Sequence, residues 1–229
     1  PVSEIKYVCR NVDIIMARLI KNETVELFGK NATVPFINGC DNSYHPCQIL
    51  ADALTILEKF GTLDVNLMYI GAKNNVFNSH VEFFSKMKKG TLYGLTPLVN
   101  ETACGPDFYE EAKKSGHYIE LDPAMSMEEA KEYANKMDVL YTDTWVDMEF
   151  FNNPAYQKQK EETLAKMMPY QLNGDFTKDS KAIVFHDMPM HVGFEISQDV
   201  VDKNLDHILD EAENRRHAEK AVMYTLLNS

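Results

Sequence analysis

The chain has 229 residues, of which 35 are Asp or Glu and 23 are Lys or Arg, so its formal net charge is −12. This acidic balance makes nucleic acid and anionic membrane surfaces poor candidates for binding partners. With 45% hydrophobic residues and no apolar run near the roughly 18–20 residues of a membrane span, the composition excludes a disordered chain and a membrane-spanning protein.

Strand-like and helix-like segments alternate from the beginning of the chain. In the first 61 residues the pattern predicts strands over 13–19 and 34–39, and helices over 22–30 and 45–60. Further along it predicts strands over 65–71, 91–98, 118–121, 138–144 and 181–185, and helices over 74–89, 106–115, 126–137 and 214–227. This alternation predicts an α/β fold, in which helices cover both faces of parallel sheets.

A domain boundary is predicted near residues 61–63. It separates a short unit, residues 1–61, from a longer α/β domain, residues 62–209, and the final helix, 214–229, could pack on either one. Two strands and their helices in about 60 residues form a marginal core. We therefore expect the first unit to pack against the second or to lack a part of its sheet.

Four cysteines occur in the chain, at positions 9, 40, 47 and 104, and they match no zinc-binding or redox spacing. Scattered thiols in a chain long enough to bury its own core are typical of a reducing compartment. The sequence therefore predicts a cytoplasmic protein.

Ligands of open parallel α/β sheets bind at the carboxyl ends of the strands. This rule selects five candidate positions, namely Arg18 and the segments 41–45, 72–75, 143–148 and 186–189. Polar side chains occur in every one of them, so we expect a polar site at this edge.

The tetrapeptide HPCQ, residues 45–48, is the sharpest local feature. Pro46 suits the first position of a helix, which places His45 at or next to the N-cap, and a helix N-terminus attracts anions. His45 and Gln48 lie on the same side of the first turn and could both donate hydrogen bonds to an oxygen of an anionic or carbonyl ligand. The alternative is a capping turn in which His45 makes structural hydrogen bonds.

Three further features have two interpretations each. Asp143 follows a strand, where it could hold an ammonium group or cap the next helix. His186, Asp187 and His191 could suggest a metal site, but their spacing, an intervening proline and the lack of a second cluster predict none. Arg215 lies at the start of the last predicted helix, where it could face the site or pair with neighbouring acids.

The joint order of these motifs is more specific than any one of them. The run VPFINGCDNSYHPCQILADALT, residues 34–55, closely resembles the carbamoyl-phosphate-binding segment of ornithine carbamoyltransferases. The resemblance continues in order through DIIMAR ending at 18, YIGAKNNVFNS at 69–79, YTDTWVDM at 141–148, YQLN at 170–173, FHDMP at 185–189 and DEAENRRHAEKAVMYTLL at 210–227. It covers essentially the whole chain and implies two three-layer α/β domains with parallel sheets, the first binding carbamoyl phosphate and the second the amino acid.

The resemblance implies a reaction and a set of residues on the carbamoyl side. Arg18, His45 and Gln48 would hold the carbonyl oxygen and the amide of carbamoyl phosphate, and Arg215 would contact the carbamoyl group. Hydrogen-bond donors aimed at that oxygen stabilise the charge of a tetrahedral transition state. The carbamoyl group would pass to the amine of ornithine or a related amino acid or diamine, in arginine metabolism, without a metal or organic cofactor. The catalytic unit would be a homotrimer or a multiple of trimers.

On the acceptor side, the resemblance implies that Asn75 and Asp143 bind the amino acid, Asp143 through its α-ammonium group. Met148 would lie in the loop that closes over this substrate. Asp187 and Met188 replace the Cys-Leu of the His-Cys-Leu-Pro motif of ornithine enzymes, and they are a candidate catalytic residue and a candidate substrate contact.

The chain departs from the family pattern at its beginning. Family members carry a Ser-Thr-Arg-Thr-Arg loop that grips the phosphate, and this sequence contains no such motif. We therefore expect a truncated first domain. Three explanations are open: an incomplete chain, a partner that supplies the missing half, or a non-catalytic relative that binds an amino acid or a polyamine.

Added acids near the acceptor side are the second departure. Asp147 and Glu149 occupy positions of the substrate loop that usually read Ser and Gly, and Asp187 stands in place of Cys. Three carboxylates would favour a more cationic acceptor, such as a diamine, over standard ornithine. The alternative is that Asp147 and Glu149 point to solvent and that Asp187 pairs with a lysine.

Overall fold

A computed structural model describes residues 2–146 and 148–229, without the side chains of residues 148 and 149. The first unit contains two parallel strands, β1 (Ile15–Arg18) and β2 (Phe36–Cys40). Three helices surround them: α1 (Val2–Val8), α2 (Asn22–Asn31) and α3 (Pro46–Phe60). Pro46 is the first residue of α3 and His45 is its N-cap, as the HPCQ motif predicted.

The second unit is a five-stranded parallel sheet in the order β5-β4-β3-β6-β7. Its strands are β3 (Asn66–Lys73), β4 (Thr91–Val99), β5 (Tyr118–Glu120), β6 (Val139–Thr142) and β7 (Ile183–His186). Its helices are α4 (Asn75–Met87), α5 (Pro106–Lys113), α6 (Met127–Ala134), α7 (Met148–Phe151), α8 (Gln157–Met167), α9 (Gly174–Thr177) and α10 (Gln198–Leu227). Every strand pairing in both sheets is parallel, which confirms the predicted α/β class.

The central strand β3 is buried on both faces, as expected of a parallel sheet covered by helices. Leu67 and Tyr69 point into one core, together with Phe77 of α4. Met68 and Ile70 point into the other core, which Ile208 of α10 helps to form. Because successive side chains of a strand point to opposite faces, these two cores define the three layers of the larger unit.

The final helix begins 16 residues earlier than the sequence predicted, at Gln198 and not at residue 214. Its buried face includes Glu211 and Asn214 among apolar residues, so the apolar spacing that identifies a helix is interrupted. Arg215 therefore lies in the middle of α10, which corrects its predicted place at a helix start. The predicted domain limit at residue 209 also falls inside this helix.

Helix α10 joins the two units, because it packs against β7 of the larger sheet and against α3 of the smaller unit. Asn214 donates hydrogen bonds from its amide to Thr55 Oγ1 at 3.0 Å and to Glu58 Oε2 at 2.7 Å, both on α3. Lys59 of α3 forms an ion pair with Asp210. The side chains of one helix thus span the boundary where the functional site lies.

Candidate active site

The carboxyl ends of strands from both sheets open into one cleft of about 590 Å³. This is the edge that the strand rule selected from the sequence. The cleft is lined by side chains from both units and from α10, including Arg18, His45, Asn74, Asn75, Asp143, Asp187, Met188 and Arg215.

The loop that leads into α3 is built around Asp41, which is 3% exposed. Its Oδ1 atom accepts hydrogen bonds from the backbone amides of Ser43 and Tyr44, at 2.7 and 2.8 Å. Its Oδ2 atom accepts from the side-chain amides of Asn22 and Asn38, both at 2.8 Å. A carboxylate that receives four such bonds fixes the loop, and with it the position of the following HPCQ turn.

His45 lies buried at the start of α3, and its Nε2 atom is 3.4 Å from a guanidinium nitrogen of Arg215. Burial, Arg215 and Arg18 together lower the pKa of His45 to about 4. Its imidazole is therefore neutral at physiological pH. The backbone N–H of His45 donates to Ser79 Oγ at 2.8 Å, which ties this turn to helix α4. His45 thus makes a structural hydrogen bond through its backbone and also presents its side chain to the cleft.

Gln48 is fully buried behind the cleft and does not line it. Its Nε2 atom donates to Asp52 Oδ1 at 2.8 Å and to Glu211 Oε1 at 3.0 Å. A carboxamide has two N–H donors, so both are committed to carboxyl groups. The atom left without a protein partner among the described residues is the carbonyl oxygen. Gln48 therefore offers an acceptor, which differs from the donor role expected from the motif.

The opposite side of the cleft is acidic. Asp143 Oδ2 accepts a hydrogen bond from Asn74 Nδ2 at 2.6 Å, and Oδ1 accepts from the backbone of Thr144 at 2.6 Å. Asp187 hydrogen-bonds to Asp143, and burial together with that neighbouring carboxyl raises the pKa of Asp187 well above its ordinary value. A neighbouring carboxylate disfavours the ionised form, so Asp187 holds its proton more tightly than an ordinary carboxyl group.

The structure also decides between the two interpretations of Asp187. Among the described residues no lysine pairs with it, and the side chain at ion-pair distance is His186, with 3.6 Å between Nδ1 and Oδ1. The expectation that a lysine neutralises Asp187 is therefore wrong. Apart from its contact with Asp187, the hydrogen bonds that Asp143 accepts within the described part of the chain come from Asn74 and Thr144, and none comes from a helix that follows it.

Asn75 and Met188 both line the cleft between its two sides. Asn75 Nδ2 donates to the carbonyl oxygen of Asp41 at 2.8 Å, which links helix α4 to the loop before α3. Met188 has a left-handed backbone with φ of 50°, and its N–H donates to His186 Nδ1 at 3.1 Å. The Met188–Pro189 peptide bond is cis. This tight turn directly follows β7 and carries Asp187 on its cleft side.

Two predicted acceptor residues are not described at the level of their side chains. Asp147 lies outside the described residues, and of Met148 only the backbone, at the start of α7, is described. Their assignment to the substrate site stays a prediction.

Sequence reasoning missed the buried acids behind the cleft and the residue that holds Asp143. Asp52 and Glu211 were not singled out, although Asp52 follows Gln48 by four residues and so lies on the same face of its helix. Acids at such positions are the signal that could have identified them. Asn74 was selected only as part of the segment 72–75, because its role as N-cap of α4 and partner of Asp143 depends on a residue distant in sequence.

Residues 2–146 and 148–229 contain no group of three or more His, Cys, Asp or Glu side chains that could hold a metal ion. Their helices include none with the length and apolar character needed to cross a membrane. All four cysteines are free, and three of them are buried.

Two family models match the chain, and together they cover most of it. The Asp/Orn binding domain of aspartate/ornithine carbamoyltransferase matches residues 63–226, and the carbamoyl-P binding domain matches residues 3–58. These two matches correspond to the two parallel α/β units that meet at the polar cleft, so the chain is of the two-domain α/β class. The chain belongs to the aspartate/ornithine carbamoyltransferase family.

Individual relatives agree with this assignment. The chain is 36% identical to the ornithine carbamoyltransferase of Chlorobaculum tepidum, over 94% of this chain and 61% of that relative. It is 38% identical to the one from Pyrococcus horikoshii, over 95% of this chain and 67% of that relative. The solved ornithine carbamoyltransferase of Pyrococcus furiosus matches with a TM-score of 0.83 and 33% identity, covering 100% of this chain and 71% of that one. The chain thus spans about two thirds of the length of these relatives.

Proposed function

We propose that the protein transfers the carbamoyl group of carbamoyl phosphate to the amine of ornithine or a related amino acid or diamine. The observation that carries the proposal is the division of the cleft, with His45 and Arg215 on one side and the Asp143–Asp187 pair on the other. Family membership and the names of the curated relatives support the same reaction.

The proposed chemistry follows from the residues of each side. A neutral amine attacks the carbamoyl carbon, a C–N bond forms, the bond from that carbon to the phosphate oxygen breaks, and the amine proton leaves on the phosphate. Negative charge develops on the carbonyl oxygen during the attack. Arg18, Arg215 and the N–H of neutral His45 are the donors that would stabilise this charge. The free oxygen of Gln48 is buried behind the cleft, and its contact with the carbamoyl amide is proposed on the family resemblance.

On the acceptor side, we propose that the Asp143–Asp187 pair selects a cationic amine. Asp187 can release its proton when an ammonium group binds, and two carboxylates then hold that group. A diamine such as putrescine fits this arrangement better than ornithine, whose α-carboxylate would lie near the acids. Calorimetry with each compound tests the point. Tight binding of ornithine without a response to putrescine would contradict it.

Three further aspects are part of the proposal. The reaction would serve arginine metabolism, which the ornithine-specific names of the relatives support. A homotrimer is proposed on family resemblance. A cytoplasmic location is supported by the four free cysteines, which suit a reducing compartment.

The direct experiment is an assay of carbamoyl phosphate consumption and citrulline formation by the 229-residue chain, with ornithine as acceptor. We expect product formation that the substitution His45→Asn reduces by about 10²-fold, since an oxyanion donor contributes that much or more to the rate. Binding of an amine without turnover, in the presence of saturating carbamoyl phosphate, would replace the proposal by a non-catalytic amino-acid or polyamine-binding protein.

A further inference from the structure

We propose that Glu211 is a positioning residue that sets both halves of the cleft at once, by turning the Gln48 carboxamide and by anchoring the turn that carries Asp187. This inference rests on the proposed function, because Gln48 and Asp187 are assigned there to the two substrates. Glu211 itself does not line the cleft and would contact neither substrate.

Both oxygens of Glu211 accept hydrogen bonds from the two sides. Oε1 accepts from Gln48 Nε2, on the first turn of α3, at 3.0 Å. Oε2 accepts from the backbone N–H of His186, the residue before Asp187, at 2.8 Å. The Glu211 side chain is fully buried, so water does not compete for these bonds. One carboxyl group therefore fixes the distance between the start of α3 and the end of β7.

Asp52 completes the arrangement around Gln48. Its Oδ1 accepts the second Gln48 hydrogen at 2.8 Å, and its Oδ2 lies 3.2 Å from His80 Nε2. His80 Nδ1 lies 3.0 Å from the Val76 carbonyl oxygen, which only accepts, so Nδ1 carries a hydrogen and donates it. Two acceptors around one amide nitrogen leave a single orientation for Gln48, with its oxygen as the free atom.

The carboxyl group of Glu211 is protonated more readily than usual, because burial and the adjacent Asp52 raise its pKa well above the ordinary value. In its protonated form its two oxygens still carry lone pairs that accept from Gln48 and His186. A charge is therefore not needed for the positioning role. What is needed is an acceptor oxygen on each side.

This requirement separates two isosteric substitutions. In Glu211→Gln only one oxygen remains, and a new NH₂ group must face either His186 N–H or the Gln48 NH₂ group. Gln48 can relieve the clash by rotating, which exchanges its free oxygen for a free NH₂ group. In Asp52→Asn the remaining oxygen still accepts from Gln48 while the new NH₂ group faces His80 Nε2. Asp52→Asn is therefore the matched control, because it also replaces one carboxyl group beside Gln48 by a carboxamide but keeps the oxygen that accepts from Gln48.

The test is calorimetric titration of the 229-residue protein and its variants with carbamoyl phosphate and, separately, with inorganic phosphate, which lacks the carbamoyl amide. For Glu211→Gln we expect carbamoyl phosphate affinity to fall about 10- to 100-fold, the effect of one mismatched buried hydrogen bond. Affinity for inorganic phosphate should not change. Asp52→Asn and the exposed-site variant Glu213→Gln should stay within about threefold of the wild type.

A second readout separates this inference from the proposed function. The side-chain amide hydrogens of Gln48 should exchange slowly with solvent in the wild type and in Asp52→Asn, and quickly in Glu211→Gln, as measured by ¹⁵N-edited NMR. Unchanged exchange in Glu211→Gln, or equal losses of affinity in Glu211→Gln and Asp52→Asn, would overturn the positioning role. If the wild type fails to bind carbamoyl phosphate, the proposed function falls, and amide exchange alone decides the inference on Glu211.

Discussion

The two sides of the cleft differ in charge and in the way each is held. Arg18, His45 and Arg215 form a cationic side, which comes from the two-stranded unit and from the middle of α10. Asp143 and Asp187 form an acidic side at the ends of β6 and β7 in the five-stranded sheet. Opposite charges on opposite walls suit a reaction between an anion and a cation, because each wall attracts one reactant.

The two sides also keep their groups in protonation states that differ from those in water. On the cationic side, burial and two arginines lower the pKa of His45 and keep its ring neutral. On the acidic side, burial and Asp143 raise the pKa of Asp187. Under the proposed function, each side is prepared for charge that arrives with its substrate or develops during the reaction. Four variants test this difference between the two sides.

The largest effect is expected from Arg215→Ala. Arg215 faces the cleft beside His45, and its removal would take a charged donor from the developing oxyanion. We expect kcat for carbamoyl transfer to fall about 10²- to 10³-fold. Arg216→Ala is the matched control, because Arg216 is exposed and pairs only with Glu213 among the described residues. Equal losses of kcat in the two variants would mean that the net charge of α10 matters and that the position of Arg215 in the cleft does not.

His45→Asn should change how stability depends on pH. The pKa of His45 is depressed from 6.5 to about 4, so its contribution is present above pH 6.5 and is lost as the pH falls toward 4. In the variant this loss is absent. The stability of the wild type relative to the variant should therefore drop by at most about 3 kcal/mol between pH 7 and pH 4. Urea unfolding at several pH values measures it, and parallel curves would contradict a neutral, buried His45.

Asp187→Asn tests the acidic side. We expect the affinity for putrescine to fall about 10-fold or more, since a charge-assisted hydrogen bond contributes roughly 1.5–3 kcal/mol. Asp187 should release its proton to the buffer when the wild type binds the cation. The calorimetric enthalpy should therefore depend on the buffer in the wild type only. Asp206→Asn, at an exposed position of α10, is the control. Proton release that persists in Asp187→Asn would assign the proton to another group.

Glu211→Gln should produce the smallest change in stability, with a defined sign. The pKa of Glu211 is raised above its ordinary value of 4.5, so its contribution is fully present below pH 4.5 and is lost as the pH rises through the raised pKa. Glutamine does not ionise. The variant should therefore gain stability relative to the wild type as the pH rises above 4.5, in thermal unfolding followed by circular dichroism. A gap that stays constant would show that Glu211 does not titrate in the folded protein.

Local sequence patterns predicted the sheets well, because their strands are short apolar runs between turns. All seven strands lie within a few residues of their predicted ranges, and α6 begins next to the predicted start at residue 126, where Ser126 forms a capping box with Glu129. Helices with weak apolar spacing were missed: α8 is largely exposed, and the first half of α10 mixes buried and charged positions. Periodicity identifies a helix only where its buried face is apolar.

The site was predicted in part, for a related reason. Residues at strand ends, such as Arg18, Asp143 and Asp187, follow from the parallel-sheet rule and do line the cleft. Gln48 follows from its motif, but the direction of its carboxamide depends on Glu211, 163 residues away. No local pattern contains that contact. Long-range hydrogen bonds between buried polar groups are what sequence reasoning could not supply.

The most direct test of the divided cleft is the transfer of labelled carbamoyl from carbamoyl phosphate to putrescine and to ornithine, measured side by side on the 229-residue chain and on Asp187→Asn. The account predicts a higher kcat/KM for putrescine in the wild type and a loss of that preference in the variant. Transfer to ornithine alone, with the same rate in both proteins, would contradict it.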